Sequence, residues 1–214
     1  IPPFFGSNSW VVSGSRTKSG KVILANDPHI GYAAPATWYE AHLKTPDWEL
    51  YGHHLAGIPF AILGHNHRMA WGVTMLQNDD LDYYREQANP ENPDQVRFGN
   101  HWEDLKIIEE TISVKGKVDV PLRIRISRHG PIINDVLESV GKTESQPVAL
   151  AWQMLSNFEN STEQVFYELS HSENLADTHA AVSKLHAPGL NINYGDAEGN
   201  IAWWAAARLL IRPS

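Results

Sequence analysis

The chain has 214 residues, of which 42% are apolar and 20% charged, with a formal net charge of −8. This length and composition are typical of one globular domain and exclude a disordered tail, a coiled coil and a collagen-like rod. Because 17 basic residues stand against 25 acidic ones without a basic run, the chain repels phosphate backbones, and we expect no nucleic-acid partner.

Two further classes are excluded by residue usage. The sequence contains no cysteine, which excludes disulfides, a cysteine nucleophile and thiolate metal sites. Its longest apolar stretch, at 201–211, contains Arg208 and is far shorter than the roughly 20 residues of a membrane helix, so we expect no membrane span.

Strand patterns dominate the first half of the chain. Short apolar runs at 10–12 and 21–25 are separated by glycines and serines, which are typical of a hairpin turn. Two more apolar segments, 55–63 and 69–74, flank the Gly-His-Asn-His sequence at 64–67. These patterns predict a series of β-strands.

The clearest strand signal follows a turn at 115–117. Five apolar side chains occupy every second position there: Val118, Val120, Leu122, Ile124 and Ile126. Because side chains alternate between the faces of a strand, this pattern predicts one buried and one solvated face. The segment 89–94, with two prolines, is predicted to be a surface loop.

Two helices are predicted near the end of the chain. The Ser-Thr-Glu-Gln sequence at 161–164 matches a capping box, in which Ser161 and Gln164 bond the free amides of the first turn. A second helix is predicted at 175–185, before Pro-Gly. Strands at 190–194 and 201–207, joined by a turn, then complete an α+β layered sheet protein.

The sequence Gly6-Ser7-Asn8-Ser9-Trp10 has two interpretations. By itself it is a loop that leads into a strand. Alternatively, cleavage of the Gly6–Ser7 bond would make Ser7 an N-terminal residue, which carries a hydroxyl nucleophile and an amine that can act as its base. Glycine at position 6 suits the backbone geometry needed for Ser7 to attack the preceding carbonyl.

Further motifs favour the second interpretation. They are Asn26-Asp27-Pro28-His29, Gly64-His65-Asn66, Ala70-Trp71-Gly72-Val73-Thr74, Asn78-Asp79-Asp80-Leu81-Asp82, Arg128-His129-Gly130-Pro131 and the segment from Asn191 to Ile201. In this order and spacing the chain resembles the penicillin acylase family of N-terminal-nucleophile hydrolases, from Gly6 to about Arg212. The resemblance implies that family's αββα four-layer sandwich, present here in part.

The resemblance also implies where the chain is cut. Residues 1–6 match the end of a spacer peptide, and 7–214 match the N-terminal part of the acylase β chain. Autoproteolysis would then separate Gly6 from Ser7, and Ser7 would be the nucleophile. The α chain of the same precursor is an implied partner.

Four other positions match catalytic residues of the family. His29 matches the residue that hydrogen-bonds near the nucleophile's amine, and histidine there is more like the homoserine-lactone and cephalosporin acylases. Met75 matches the residue whose backbone N–H forms half of the oxyanion hole, and Asn191 matches the amide that forms the other half. Arg212 falls near an arginine that organises the site around Asn191. Without the resemblance, His29 would be interpreted as a capping or core histidine.

A calcium site is the implied cofactor site. Asp79, Asp82 and the carbonyl of Leu81 would supply hard oxygen ligands, with Asp196 as a weaker candidate. The plain alternative for the acidic run is a solvated turn.

Zinc is a weaker alternative. His65 with His67, or His53 with His54, could join a carboxylate, but no third ligand is apparent at a helical spacing, so we expect no catalytic zinc. The eight tryptophans are interpreted as core and turn packing rather than a sugar-binding platform.

The resemblance therefore predicts an amidohydrolase that cleaves an N-acyl amide through an acyl-serine intermediate. Substrates would be a β-lactam side chain, an acyl-homoserine lactone or a similar small amide, and family members are commonly periplasmic or secreted. The alternative is a non-catalytic, ligand- or partner-binding fragment that needs the missing α region for activity.

Overall fold

The computed structural model describes residues 6–31, 33–152 and 162–212. The chain divides into two compact units, Ile1–Asn78 with Glu159–Ser214, and Asp79–Phe158. Each unit is described by itself. Among the residues that the structure describes, no helix has the length and apolar character that crossing a lipid bilayer requires.

The first unit contains eight strands and two helices among its described residues. The strands are β1 (Gly6–Val12), β2 (Ile23–His29), β3 (Trp38–Lys44), β4 (Glu49–Leu55), β5 (Leu63–His65), β6 (Met69–Met75), β15 (Leu190–Asp196) and β16 (Ile201–Ala206). The helices are α2 (Thr162–His171) and α3 (Leu175–Val182).

Among its described residues, the second unit is made of short antiparallel strands and one short helix. These are β7 (Leu81–Arg85), β8 (Ala88–Asn89), β9 (Asn92–Phe98), β10 (His101–Asp104), β11 (Lys106–Ile112), β12 (Val120–Ser127), β13 (Gly130–Pro131), α1 (Glu138–Thr143) and β14 (Val148–Trp152). They form the ladders β10-β9-β8, β11-β12-β13 and β14-β7. A small core of Val96, Leu105, Ile132 and Ala149 holds them together.

A six-stranded sheet, in the order β16-β15-β6-β5-β4-β3, is the centre of the first unit. Helices α2 and α3 cover one face of this sheet. Their buried side chains pack against every second residue of the central strands. Ile192 and Tyr194 of β15 and Trp71 of β6 belong to this core, together with Phe166 and Leu169 of α2. The positions between them point to the opposite face.

The opposite face of the sheet is covered by the hairpin β1–β2. Its strands pair antiparallel from Gly6 opposite His29 to Val12 opposite Ile23. The described part of this unit is therefore layered as helices, sheet and hairpin. This agrees with the predicted α+β class.

Several predicted boundaries are wrong in ways that have a physical reason. Gly6–Val12 is one continuous strand rather than a loop followed by a short strand, since β2 offers it a partner over its full length. The segment 55–63 is mostly a turn, because the strand there lies earlier, at Glu49–Leu55. The second helix ends at Val182 instead of residue 185.

Two predictions about the second unit are also wrong. Residues 89–94 belong to the β8–β9 hairpin rather than to a loop: Pro90 lies in its turn, and Pro93 lies where the register of the two strands shifts. The alternating strand has no buried face at its start, since Val118 is 88% exposed and Val120 49%. The two-stranded ribbon β11–β12 extends beyond the core at this point. The alternating apolar side chains therefore share one face of the strand without being buried. No sequence pattern predicted helix α1. Ser161, the predicted capping residue of helix α2, lies outside the described residues.

Candidate active site

Ser7 lies near the start of β1, on the face of the hairpin that meets the six-stranded sheet. Side chains alternate along a strand, so Ser7 and Ser9 share a face. The Nδ2 group of Asn193, on β15, donates to Ser9 Oγ at 2.8 Å. This contact identifies the sheet-facing side of β1, and Ser7 is half-buried on that side.

Two glycines allow the hairpin to approach the sheet closely. A Cβ added at Gly72 would lie 2.9 Å from Ser9 Oγ and 2.8 Å from Asn26 Cβ. A Cβ added at Gly195 would lie 2.6 Å from Val22 Cγ1. These distances are shorter than van der Waals contact, so a side chain at either position would push the hairpin away.

Asn26 fastens the hairpin to β6. Its Oδ1 accepts from the N–H of Val73 at 2.8 Å, and its Nδ2 donates to the carbonyls of Val73 at 3.0 Å and Asn8 at 2.9 Å. One side chain thus bonds both backbone groups of Val73 and a carbonyl of β1. The distance between the two layers is set at this point.

The register of these contacts directs Ser7 toward Asn191. Ser9 meets Asn193, and the methyl group of Val11 would lie 3.2 Å from a Cβ at Gly195. β1 and β15 therefore advance in the same direction, by about 3.3 Å per residue. Two residues back along both strands, Ser7 lies over the part of the sheet that carries Asn191.

The side chain of Asn191 is held by three neighbours. Its Nδ2 donates to Thr74 Oγ1 and to the carbonyl of Met75, each at 3.1 Å, and Trp203 Nε1 donates to its Oδ1 at 3.2 Å. Thr74 is also the direct partner of Asn191 in the β6–β15 ladder. The amide is thus oriented at the end of β6.

The backbone N–H of Met75 points toward the hairpin. Leu76 N–H donates to the carbonyl of Gly189 at 2.9 Å, so the adjoining pair of Met75 and Leu190 is of the non-hydrogen-bonded type, with its N–H turned away from β15. Val73, two residues earlier, has the same orientation, and its N–H is bonded by Asn26 of the hairpin. The Met75 N–H and the Asn191 amide are therefore found at the same end of β6.

His29 lies beside Gly6 rather than beside the Ser7 side chain. It pairs with Gly6 across the ladder, while Ser7 pairs with Pro28. Directly opposite residues share a face, so the His29 side chain leaves the hairpin on the other face from Ser7. Its Nε2 is 2.9 Å from Asp27 Oδ2. The predicted role of His29 is to hydrogen-bond near the Ser7 amine, which cleavage of the Gly6–Ser7 bond would release. This role remains a prediction.

Pro28 has a consequence for the backbone of Ser7. Proline lacks an N–H, so β2 offers no donor at the position opposite Ser7.

Arg212 lies six residues beyond the end of β16, exposed and outside regular secondary structure. The bonds of the Asn191 side chain described above are made to Thr74, Met75 and Trp203. The predicted role of Arg212 in organising Asn191 remains a prediction.

Asp196 closes the turn between β15 and β16. Its Oδ1 accepts from the N–H groups of Glu198 at 3.0 Å and Asn200 at 2.8 Å. Its Oδ2 accepts from Tyr194 OH at 2.7 Å and Asn200 Nδ2 at 2.8 Å. Hydrogen bonds from Asn200 and Tyr194 lower the pKa of Asp196 despite its burial. Both oxygens are engaged, which favours a structural role over a calcium ligand.

The predicted calcium ligands lie where the second unit begins. Asp79 has a positive φ of 53°, and Leu81 and Asp82 begin β7, opposite Trp152 and Ala151. Across residues 6–31, 33–152 and 162–212, no three histidine, aspartate or glutamate side chains converge in a group that could hold a metal ion. Asp79 and Asp82 alone therefore do not form a complete side-chain ligand set.

The histidines considered for zinc serve other contacts. His67 Nε2 lies 3.1 Å from Glu49 Oε2, and the ring of His65 packs on Tyr51 at 5.3 Å. His54 is buried and stacks on Tyr39 at 5.3 Å.

Sequence analysis missed the residues that position the site. Asn26, Asn193 and Gly72 join the hairpin to the sheet, and Trp203 orients Asn191. One signal was available, because Asn191 and Asn193 are two residues apart on a strand and so share a face. No sequence pattern predicted which residues of the hairpin contact which residues of the sheet.

These contacts define a class of protein. It is a layered α+β fold in which the hairpin that carries Ser7 docks over the strand that carries Asn191. The family model for penicillin amidase matches residues 2–214. The chain therefore belongs to the penicillin amidase family, as the sequence motifs predicted.

Characterised relatives are acylases. The chain is 30% identical over 209 residues to acyl-homoserine lactone acylase QuiP of Pseudomonas aeruginosa, covering 94% of this chain and 24% of the relative. It is 31% identical over 215 residues to penicillin acylase 2 proenzyme of Pseudomonas sp. SE83, covering 97% of this chain and 26% of the relative. The chain thus spans about a quarter of the length of these relatives.

A solved structure has the same fold. The thermostable penicillin G acylase from Alcaligenes faecalis is similar with a TM-score of 0.81 and 25% sequence identity. The match covers 93% of this chain and 35% of that chain.

Proposed function

We propose that the complete protein is an amide hydrolase that cleaves a small N-acyl amide through an acyl-serine intermediate on Ser7. The observation that carries this proposal is the docking of β1 on β15, with Ser9 bonded to Asn193. Extended two residues back along both strands, that register supports a position of Ser7 near Asn191. Membership of a family whose relatives are named as acylases supports the same reaction class.

The chemistry begins with exposure of the nucleophile. Ser7 Oγ attacks the carbonyl of Gly6, the acyl group shifts from nitrogen to oxygen, and water hydrolyses the resulting ester. Ser7 then has a free amine, which takes the proton of Oγ when the hydroxyl attacks a substrate amide. His29, across the ladder from Gly6, is proposed to tune this amine.

Attack on the substrate places negative charge on its carbonyl oxygen. Met75 N–H and Asn191 Nδ2 are proposed to bind this oxyanion, with Arg212 supporting Asn191. Both hydrogens of Asn191 Nδ2 have partners here, so the oxyanion would replace one of them. One such donor changes kcat by about 10²–10³. The leaving amine takes the proton, and water releases the acid and restores Ser7.

The rest of the protein is part of the proposal. We propose the αββα four-layer sandwich for the complete molecule, an α chain released from the same precursor, and a periplasmic or secreted location. Residues 1–6 would be the end of the spacer. A structural calcium ion at Asp79, Asp82 and the Leu81 carbonyl would need further ligands, and no catalytic step depends on it.

The mature N-terminus tests this function. In the complete protein we expect intact mass and N-terminal sequencing to give a chain that begins at Ser7, and Ser7→Ala to remain uncut and inactive. Ser7→Cys is the matched variant, because a thiol can make the same acyl shift, and it should cut but hydrolyse amides poorly. A mature chain that begins elsewhere, or turnover by Ser7→Ala, would contradict the proposal.

A further inference from the structure

The orientation of the Asn191 amide follows from partners that can each play one role. An indole N–H only donates, so the Asn191 atom 3.2 Å from Trp203 Nε1 must be oxygen. A carbonyl only accepts, so the atom 3.1 Å from the Met75 carbonyl must be nitrogen. Thr74 accepts from the same nitrogen. Trp203 and Met75 thus fix which end of the amide faces β6.

Trp203 reaches Asn191 from the outer strand of the sheet. It pairs with Asn193 in the β15–β16 ladder, so its side chain is on the same face as Asn193 and Asn191. The indole lies diagonally across to Asn191. Its side chain is 62% exposed. Trp203 therefore contributes little to the core, and its hydrogen bond to Asn191 is the contact that explains its orientation.

We infer that Trp203 is a positioning residue, which holds the Asn191 amide with its N–H₂ group toward the oxyanion. This inference rests on the proposed function. Without the indole N–H, only the Met75 carbonyl still selects the orientation of the amide, so a larger fraction of molecules turns the amide about its last torsion and presents Oδ1 instead. An amide oxygen would repel a developing oxyanion, so only the fraction of molecules in the correct orientation would be active.

The effect falls on the transition state rather than on substrate binding. The oxyanion forms only as the amide is attacked, so loss of orientation should lower kcat and leave KM nearly unchanged. One neutral hydrogen bond corresponds to about a three- to tenfold change in rate. We therefore expect this decrease in kcat for Trp203→Phe, which keeps the aromatic ring and removes the N–H.

The neighbouring tryptophan is a matched control. Trp204 Nε1 also makes one hydrogen bond, to His179 Nδ1 at 3.1 Å, but Trp204 is on the opposite face of β16, against the helices. Trp204→Phe thus removes the same kind of bond one residue away, outside the site. In the complete, matured protein it should keep the wild-type kcat, and both variants should be cut at the same bond.

A double-mutant cycle with Asn191→Ala separates the inference from the proposed function. In the Asn191→Ala background, Trp203→Phe should have no further effect on kcat, because the amide it orients is absent. An equal loss in both backgrounds, or an unchanged kcat in Trp203→Phe alone while Asn191→Ala is impaired, would overturn the inference only. If Asn191→Ala itself kept the wild-type kcat, the oxyanion assignment would fall and the inference with it.

Discussion

His54 is a titratable side chain enclosed in the core of the first unit. It is 1% exposed and stacks on the ring of Tyr39 at 5.3 Å. Burial is the main cause that lowers its pKa below the usual 6.5, and the charge of His53 acts in the same direction. The nearby backbone of Ile58 and Phe60 acts to raise the pKa of His54 but does not cancel this shift. The folded protein therefore keeps His54 neutral where the unfolded chain binds a proton.

This difference makes stability depend on pH. Because the folded pKa lies below the unfolded value of 6.5, stability is highest above 6.5 and falls as the pH drops toward the folded pKa, with a slope of at most about 1.4 kcal/mol per pH unit. His54→Phe keeps a stacking ring and removes the titration, so its melting temperature should fall less between neutral and mildly acidic pH. His101→Phe, at an exposed site, is the control. An identical pH profile in wild type and His54→Phe would contradict this account.

The hairpin β1–β2 is the element that brings Ser7, the proposed nucleophile, to the sheet. Its own ladder is only two strands wide, and such a hairpin is marginally stable alone. The cross-layer bonds of Asn26 and Asn193, and the close approach over Gly72, hold it in place. Any displacement of the hairpin from the sheet therefore also displaces Ser7.

Gly72→Ala tests this dependence. The new methyl group would overlap Ser9 Oγ and Asn26 at 2.8–2.9 Å, which should lower the free energy of unfolding by about 1–3 kcal/mol. The displaced hairpin should also slow cleavage at Gly6–Ser7. Gly31→Ala is the matched control, since a Cβ there has open space and no positive φ. If Gly72→Ala had the stability and the processing rate of Gly31→Ala, the layer contact would not position Ser7.

At the scale of the whole molecule, the strand that carries Ser7, the proposed nucleophile, and the strand that carries Asn191, the proposed oxyanion donor, belong to one compact unit. It spans about a quarter of the length of its relatives, so the proposed hydrolysis and the proposed calcium site can be tested only on the complete protein. The formal net charge of the chain is −8, which disfavours anionic partners on average. Metal dependence is therefore a property to measure on the complete protein.

Chelation of calcium should lower the melting temperature of the complete protein, because a ligand that binds only the folded state stabilises it by mass action. Asp79→Ala and Asp82→Ala should abolish the difference between calcium and chelator. Asp80→Ala is the control, since this neighbouring acid is not a predicted ligand, and it should respond as wild type does. An unchanged melting curve of the wild type on chelation would reject the site.

The family and several strands were predictable from the sequence. The motif order from Gly6 to Arg212 predicted the family, which the match over residues 2–214 confirms. The strands at 69–74, 190–194 and 201–207 were also predicted, because their apolar runs and turns are encoded by neighbouring residues. The role of Ser7 as nucleophile stays a prediction.

Contacts between layers were decided only by the tertiary structure. Nothing near Asn26 in the sequence predicts that it bonds both backbone groups of Val73, 47 residues away. Ser9 and Asn193 are 184 residues apart, and Trp203 reaches Asn191 across a ladder. Sequence periodicity assigns a residue to a face, but which face packs against which depends on long-range docking. For this protein the sequence therefore determines which residue types are present at the candidate site. How their side chains are oriented is determined by the docking of the hairpin on the sheet.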